Sequence, residues 1–123
     1  MRIWLAIAAI NGFLAVVAGA FAAHGLKGMN ADAASVFETA TRYHMYHALA
    51  MGLAVFAMRG AAARAATISA ALFLAGIVLF SGSLYLLALT AAHALVFVTP
   101  FGGIAFMLGW IALAIAALRL APP

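Results

Sequence analysis

IWLAIAAINGFLAVVAGAFAA, residues 3–23, is the stretch that decides the fold class of this chain. Asn11 is the only polar interruption in this apolar run. An α-helix needs roughly 20 apolar residues to cross a hydrocarbon core about 30 Å thick. The stretch therefore predicts a transmembrane helix, and Gly25 just beyond it predicts where that helix ends.

The whole chain has the composition of a membrane protein. Its 123 residues are 70% hydrophobic and 7% charged, and its mean hydropathy is +1.24. Soluble domains are about half apolar and about a quarter charged, and a small domain buries only about two-thirds of the surface that its unfolded chain exposes. We therefore predict that residues 1–123 form a single integral membrane domain, with the lipid bilayer as part of its solvent.

Further apolar segments complete a prediction of four helices. Ser35 followed by Glu38 fits a capping box at the start of the second helix, and Asp32 is the alternative N-cap. Thr99 fits the cap of the fourth helix, with Pro100 at its first position. The predicted fold class is all-α: a four-helix transmembrane bundle with up-down-up-down connections. The predicted spans cover residues of about 3–24, 36–58, 65–91 and 100–120.

A cleaved secretory signal is the alternative interpretation of the first segment. Arg2, the apolar run and the triplet Ala18–Gly19–Ala20 resemble a signal peptide with its cleavage site. The run is longer than the usual signal core of about 7–15 residues. Its small residues are also spaced for helix packing, so a retained transmembrane helix is the favoured interpretation.

Positive charges predict the orientation of the bundle. With four spans, Lys27 and Arg42 lie on one side of the membrane. An excess of Lys and Arg marks the cytoplasmic side. We therefore expect both termini in the cytoplasm of a bacterial cell. The side with both termini is the more positive one, because it carries Arg2, Arg59, Arg64 and Arg119 against Lys27 and Arg42 on the other side.

Small residues recur at seven-residue intervals along the first, third and fourth spans. Association of helices in lipid gains little from hydrophobic burial, so close packing through small residues must hold the bundle together. A seven-residue repeat favours left-handed crossing of the helices. The glycines predicted to pack are Gly12, Gly19, Gly52, Gly76, Gly102, Gly103 and Gly109.

Titratable and aromatic side chains crowd the head of the second span, in TRYHMYHALA, residues 41–50. Polar groups at membrane depth face the protein interior or a wet cavity. We therefore predict a shallow polar pocket, open to the outside, and an interhelical hydrogen bond from Asn11. The alternative is a purely structural network of hydrogen bonds and interfacial aromatic residues. The predicted pocket consists of His24, Tyr43, His47, Ser81, Ser83 and Tyr85.

Several classes of site and partner find no support in the sequence. The absence of cysteine excludes disulfides, thiolate metal sites and Cys nucleophiles. The six Lys and Arg residues are scattered singly, which does not indicate nucleic-acid binding. No HExxH, GxSxG or P-loop motif is present, so we predict no cofactor and no metal. His24 and His47 are the alternative metal ligands, and nearby methionines would suit copper.

Four segments carry a resemblance to known proteins: GAFAAHGL (19–26), YHMYHALA (43–50), LFSGSLYLLAL (79–89) and TPFGGIAFMLGW (99–110). In order and at matching spacing, they resemble the YgdD family, domain-of-unknown-function family 423. The resemblance implies a small four-span protein of the bacterial inner membrane, and it implies no established biochemical activity. Ala22, Arg42 and His44 depart from the family pattern, which makes His44 a poor candidate for a shared ligand. The residues on motif positions are His24, Tyr43, His47, Ser81, Gly82, Ser83, Tyr85, Thr99, Pro100, Gly102 and Gly103.

The sequence leaves three functions open. We expect a non-enzymatic bundle that packs against other membrane proteins or against its own copies, because no catalytic constellation is complete. A small-solute channel or transporter through the polar pocket is one alternative. A His-based metal protein or enzyme that uses His24 and His47 is the other.

Overall fold

The computed structural model describes residues 1–123, and every regular element in it is helical. A π-helix at Ile77–Ser81 joins α3 and α4 into one continuous helix, so the chain forms four long helices. Short 3₁₀-helices lie at Gly60–Ala62 and His93–Phe97. The prediction of an all-α chain with four helices is confirmed. The α-helices are α1 (Arg2–His24), α2 (Ala31–Phe56), α3 (Ala63–Gly76), α4 (Gly82–Thr90) and α5 (Thr99–Leu118).

Three of the four long helices are long and apolar enough to cross a membrane, and α2 is not one of them. Polar residues such as Arg42, His44 and His47 lower the hydropathy of α2, although its 26 residues give it the length of a span. α2 compensates by burial, with nine buried residues against three in α1. It lies against α1, α3 and α4, and His44 and His47 are buried in the bundle while Arg42 stays exposed.

α2 begins earlier than the capping box predicts. Asn30 is its N-cap, and the side-chain Oδ1 of Asn30 accepts a hydrogen bond from the backbone N–H of Ala33 at 2.7 Å. Ser35 and Asp32 lie inside the helix, so both predicted caps are wrong. Asn caps a helix as well as Ser or Asp, and the earlier start gives α2 another turn. Glu38 instead forms an exposed ion pair with Arg42 at 3.7 Å.

The start of α5 also differs from the prediction. Thr99 lies within the helix, Val98 is the N-cap, and no side chain caps the first turn. Pro100 lies in the first turn, as its fixed φ and missing N–H favour. The hydroxyl of Thr99 makes a contact with α4 instead, described below.

The buried core forms three layers along the bundle. The first consists mostly of alanines from the end of α2, the start of α3 and the end of α5, and Trp4 of α1 packs against it. The middle layer includes Met51 and Phe73, which are fully buried. The third contains Phe37 and Ala88. We call the end with the first layer the arginine end, because its neighbours in sequence are Arg2, Arg59, Arg64 and Arg119.

The glycines predicted to pack fall into two groups. A Cβ added to Gly102 would meet the backbone of Leu79 and Phe80. A Cβ at Gly76 would meet the ring of Phe106, and one at Gly109 would lie 2.7 Å from the ring of Phe73. The structure thus brings α5 against the α3–α4 helix at these glycines, with Gly103 in looser contact at 3.9 Å. Apart from the adjoining residues and backbone of its own helix, an added Cβ at Gly12, Gly19 or Gly52 would meet nothing within 4 Å.

Candidate functional site

Two buried histidines on α2 organise the polar interior of the bundle. The exposed fractions of His44 and His47 are 6% and 5%. Because they are three residues apart, their rings project from neighbouring positions of one helical turn. They hydrogen-bond to different helices, and together they join α2 to three others.

His44 connects α1, α2 and α4. Its Nε2 lies 3.1 Å from Asn11 Oδ1, and its Nδ1 lies 2.9 Å from the hydroxyl of Tyr85. Asn11 Nδ2 donates to the carbonyl of Ile7 at 2.9 Å, so Oδ1 is the atom that accepts. His44 therefore donates from Nε2 and accepts the Tyr85 hydroxyl at Nδ1, which is the pattern of a neutral imidazole.

His47 connects α2 and α5 with the opposite tautomer. Its Nδ1–H donates to the carbonyl of Tyr43 at 2.7 Å, and its Nε2 accepts from Trp110 Nε1–H at 3.2 Å. The imidazole also stacks on Phe106, with ring centroids 3.5 Å apart and planes 7° from parallel. Both ring nitrogens of this neutral imidazole are thus engaged within the protein.

Hydroxyl groups add further links between the third and fourth long helices. Ser83 Oγ lies 2.6 Å from Thr99 Oγ1. Ser69 Oγ donates to the carbonyl of Gly109 at 2.8 Å. The side-chain hydroxyl of Ser81, the last residue of the π-helix, is fully buried and has no hydrogen-bond partner. It is the only buried side-chain polar atom left in that state.

Comparison with known proteins identifies the family. Residues 18–103 match the family model described as "Protein of unknown function (DUF423)". The chain belongs to this family. It is 44% identical to the UPF0382 membrane protein YwdK of Bacillus subtilis, over 97% of this chain and 98% of that protein. It is 45% identical to the UPF0382 inner membrane protein YgdD of Escherichia coli, over 97% of this chain and 92% of that protein.

The sequence resemblance to the YgdD family is therefore confirmed over nearly the whole chain. A UPF0382 membrane protein of Haemophilus influenzae is 42% identical over 94% of each chain. No solved structure matches. Together with three helices that are apolar enough to span a bilayer, these matches make the chain a multi-pass membrane protein of the DUF423 family.

The six residues of the predicted pocket make contacts with different partners. Tyr85 bonds to His44 rather than to His47, and Ser83 bonds to Thr99. His24 is exposed and makes no side-chain hydrogen bond. None of the six lines any of the five main surface cavities. The side chains of His47, Ser83 and Tyr85 thus bond to neighbouring helices, whereas the hydroxyl of Ser81 has no partner.

Tyr43 stays at the surface, with an exposed fraction of 40%. Its ring lies over the His47 imidazole at a centroid distance of 5.9 Å. Its backbone carbonyl, rather than its phenol, is the group that accepts the His47 hydrogen bond. The contribution of Tyr43 to the polar interior thus comes from its main chain.

Sequence reasoning missed two members of the polar interior. It set aside His44 because that residue departs from the family pattern, and it did not consider Trp110. The signal was available, since an imidazole or an indole N–H within a span needs a hydrogen-bond partner. The expected interhelical hydrogen bond of Asn11 is confirmed, and its partner is His44.

The geometry does not gather the donors that a metal ion needs. No group of three or more His, Asp or Glu side chains is close enough to hold one. Of the alternative ligands, His24 lies exposed at the end of α1 and His47 is buried within α2. The structure does not bring these two imidazoles together.

Proposed function

We propose that this DUF423 protein is a non-enzymatic bundle that packs against another transmembrane helix through α1. The observation that carries the proposal is the open glycine at Gly19. α1 buries only Ala8, Asn11 and Ala15 of its 23 residues, and an added Cβ at Gly19 would meet nothing within 4 Å. Helix interfaces in lipid are enriched in such small residues because the backbones can approach closely.

The polar interior supports a non-enzymatic role. A general acid, a metal ligand or a pore-lining group needs a free polar atom that faces a substrate or water. His44 and His47 use all four of their ring nitrogens within the bundle. Neither the channel alternative nor the metal and enzyme alternative gains a specific observation in its favour.

The proposal includes the topology of the chain. Both termini lie in the cytoplasm, α2 crosses the bilayer inside the shield of the other helices, and the helices cross up-down-up-down with left-handed packing. The positive charges of the arginine end favour this orientation. The Escherichia coli relative carries the name inner membrane protein, which supports the bacterial inner membrane as the location.

Single introduced cysteines test the topology, because the chain contains no cysteine. We expect a membrane-impermeant maleimide to label Ala92→Cys on intact spheroplasts, and to label Ala61→Cys only after the membrane is broken. Both positions are exposed and lie at opposite ends of the third long helix. Labelling of Ala61→Cys from outside would contradict the orientation.

Photo-crosslinking in native membranes tests the docking face. Val16 lies one turn from Gly19 and is 60% exposed, and Ile104 on α5 is 49% exposed. A photoreactive residue at position 16 should give one discrete protein adduct, and the same residue at position 104 should not. The mass of the adduct distinguishes a second copy from a different protein.

A substitution at Gly19 provides the control for this experiment. Gly19→Leu has room within the chain, so it should keep the thermal stability of the bundle while it abolishes the adduct. Gly103→Leu on α5 should leave the adduct unchanged. Identical adducts from positions 16 and 104, or an adduct that survives Gly19→Leu, would rule out α1 as the docking face.

A further inference from the structure

Two surface cavities form one continuous groove between α1 and α2. The larger has a volume of about 500 Å³ and the smaller of about 230 Å³. Leu5, Leu49 and Gly52 line both cavities, so the two are contiguous. The groove runs from Arg59 at the arginine end to Gly12, and its walls are otherwise apolar.

The groove exists because glycine occupies its floor. An added Cβ at Gly12 or Gly52 would meet no heavy atom within 4 Å, so these residues leave space rather than fill a contact within the bundle. From Met1 to Gly12 the groove extends about 17 Å along α1, at 1.5 Å per residue. That length matches one leaflet, or half of a hydrocarbon core about 30 Å thick.

A basic cleft adjoins the groove at the arginine end. Its volume is about 620 Å³, and Arg59 and Arg119 are its two cationic side chains. Arg59 lines both the cleft and the groove, so the two spaces meet at its side chain. The only ion pair in the structure joins Glu38 to Arg42, which leaves Arg59 and Arg119 without a carboxylate partner.

From this juxtaposition we propose that the groove and the cleft together bind one anionic phospholipid. An acyl chain lies in the groove along α1 and α2, and the phosphate lies in the cleft between Arg59 and Arg119. The planar guanidinium group of Arg matches the geometry of phosphate and forms charge-assisted hydrogen bonds with it. Basic pockets between helices on the cytoplasmic side are suited to anionic head groups.

A second copy of the chain fits the groove less well. A parallel neighbour would bring its own arginine end against Arg59 and Arg119. The two acidic residues, Asp32 and Glu38, lie in the first two turns of α2, far along the helix from Arg59. Neither acidic side chain can reach the cleft, whereas an anionic lipid brings its negative charge there. This lipid site lies toward the arginine end, while the proposed helix contact is centred on Gly19.

Native mass spectrometry of the purified full chain with defined lipids tests the site. With matched acyl chains, phosphatidylglycerol should bind at one molecule per chain at least about tenfold more tightly than phosphatidylcholine, because charge-assisted hydrogen bonds contribute at this level. Glycerol phosphate without acyl chains should not compete. Equal affinity for the two lipids would overturn the proposal, and so would competition by glycerol phosphate.

Three variants separate the groove from the cleft. Gly52→Leu fills open space in the groove and should abolish tight binding of phosphatidylglycerol while the protein stays folded. Arg59→Gln should bring its affinity down to that of phosphatidylcholine. Arg64→Gln removes a charge at the same end without lining either cavity, so it should retain the preference. Equal losses in Arg59→Gln and Arg64→Gln would show a diffuse surface charge effect and overturn the site.

Discussion

Gly102→Ala should lower the free energy of unfolding by about 3 kcal/mol, at the upper end of what a single overpacking methyl group costs. An added Cβ would lie 2.7 Å from both Leu79 C and Phe80 Cα. These are backbone atoms at the π-helix, so no side-chain rotation can relieve the overlap. α5 and the α3–α4 helix would have to separate. Titration with sodium dodecyl sulfate in mixed micelles, followed by helical circular dichroism, measures the change.

The adjacent glycine provides a matched control. An added Cβ at Gly103 would approach Phe80 Cδ2 at 3.9 Å, an ordinary van der Waals contact. Gly103→Ala should therefore be neutral or stabilising by up to about 1 kcal/mol, since alanine is the better helix former. Equal losses of stability in Gly102→Ala and Gly103→Ala would show that close backbone approach is not what holds these helices together.

The sequence predicts the helices well because lipid leaves the backbone few choices. Within a bilayer every backbone N–H and C=O must be satisfied internally, and a helix does this within its own segment. Length and hydropathy alone therefore give α1 and α5 nearly at their observed limits. The predicted start of α2 is wrong because Asn30, Asp32 and Ser35 are all residue types that cap helices well, and the sequence does not rank them.

The direction in which a helix faces is harder to predict than its existence. Gly12 and Gly109 both lie on seven-residue stripes, yet Gly109 meets Phe73 and Gly12 faces open space. In a soluble protein the polar face would reveal which side is exposed, but lipid and protein interior are both apolar. The π-helix at Ile77–Ser81 was not predicted either; it lies against α5, and hydropathy does not indicate such contacts.

The predicted polar pocket shows the same limit, because the sequence indicates the depth of its residues but not the direction in which their side chains point. Counting residues from helix ends places His24, His47 and Tyr85 on one side of the membrane. This count does not give the angle of each side chain around its helix axis, so it does not distinguish a shared cavity from separate hydrogen bonds. The family pattern also made His44 a poor candidate, although its two ring nitrogens bond to Asn11 and Tyr85. Bonding requirements of the imidazole were the better guide.

His47→Ala should cost about 3 kcal/mol of unfolding free energy. The substitution removes the ring that stacks on Phe106 at 3.5 Å, and loss of a large buried side chain costs at least about 2 kcal/mol. It also leaves Trp110 Nε1–H without its acceptor, and interhelical hydrogen bonds in membranes contribute about 0.6 kcal/mol on average. The same detergent titration measures the change, and His24→Ala should stay within about 0.5 kcal/mol of the parent, as an exposed side chain does.

A double-mutant cycle then isolates the hydrogen bond from the packing. His47→Phe keeps an aromatic ring against Phe106 but leaves the Trp110 indole unpaired, so it should be destabilising. Trp110→Phe in that background removes the unpaired donor, and replacing both partners by apolar groups can be nearly neutral. The double variant should therefore be more stable than the sum of the two single changes predicts. Additive changes would mean that the 3.2 Å contact between His47 and Trp110 contributes nothing to holding α2 against α5.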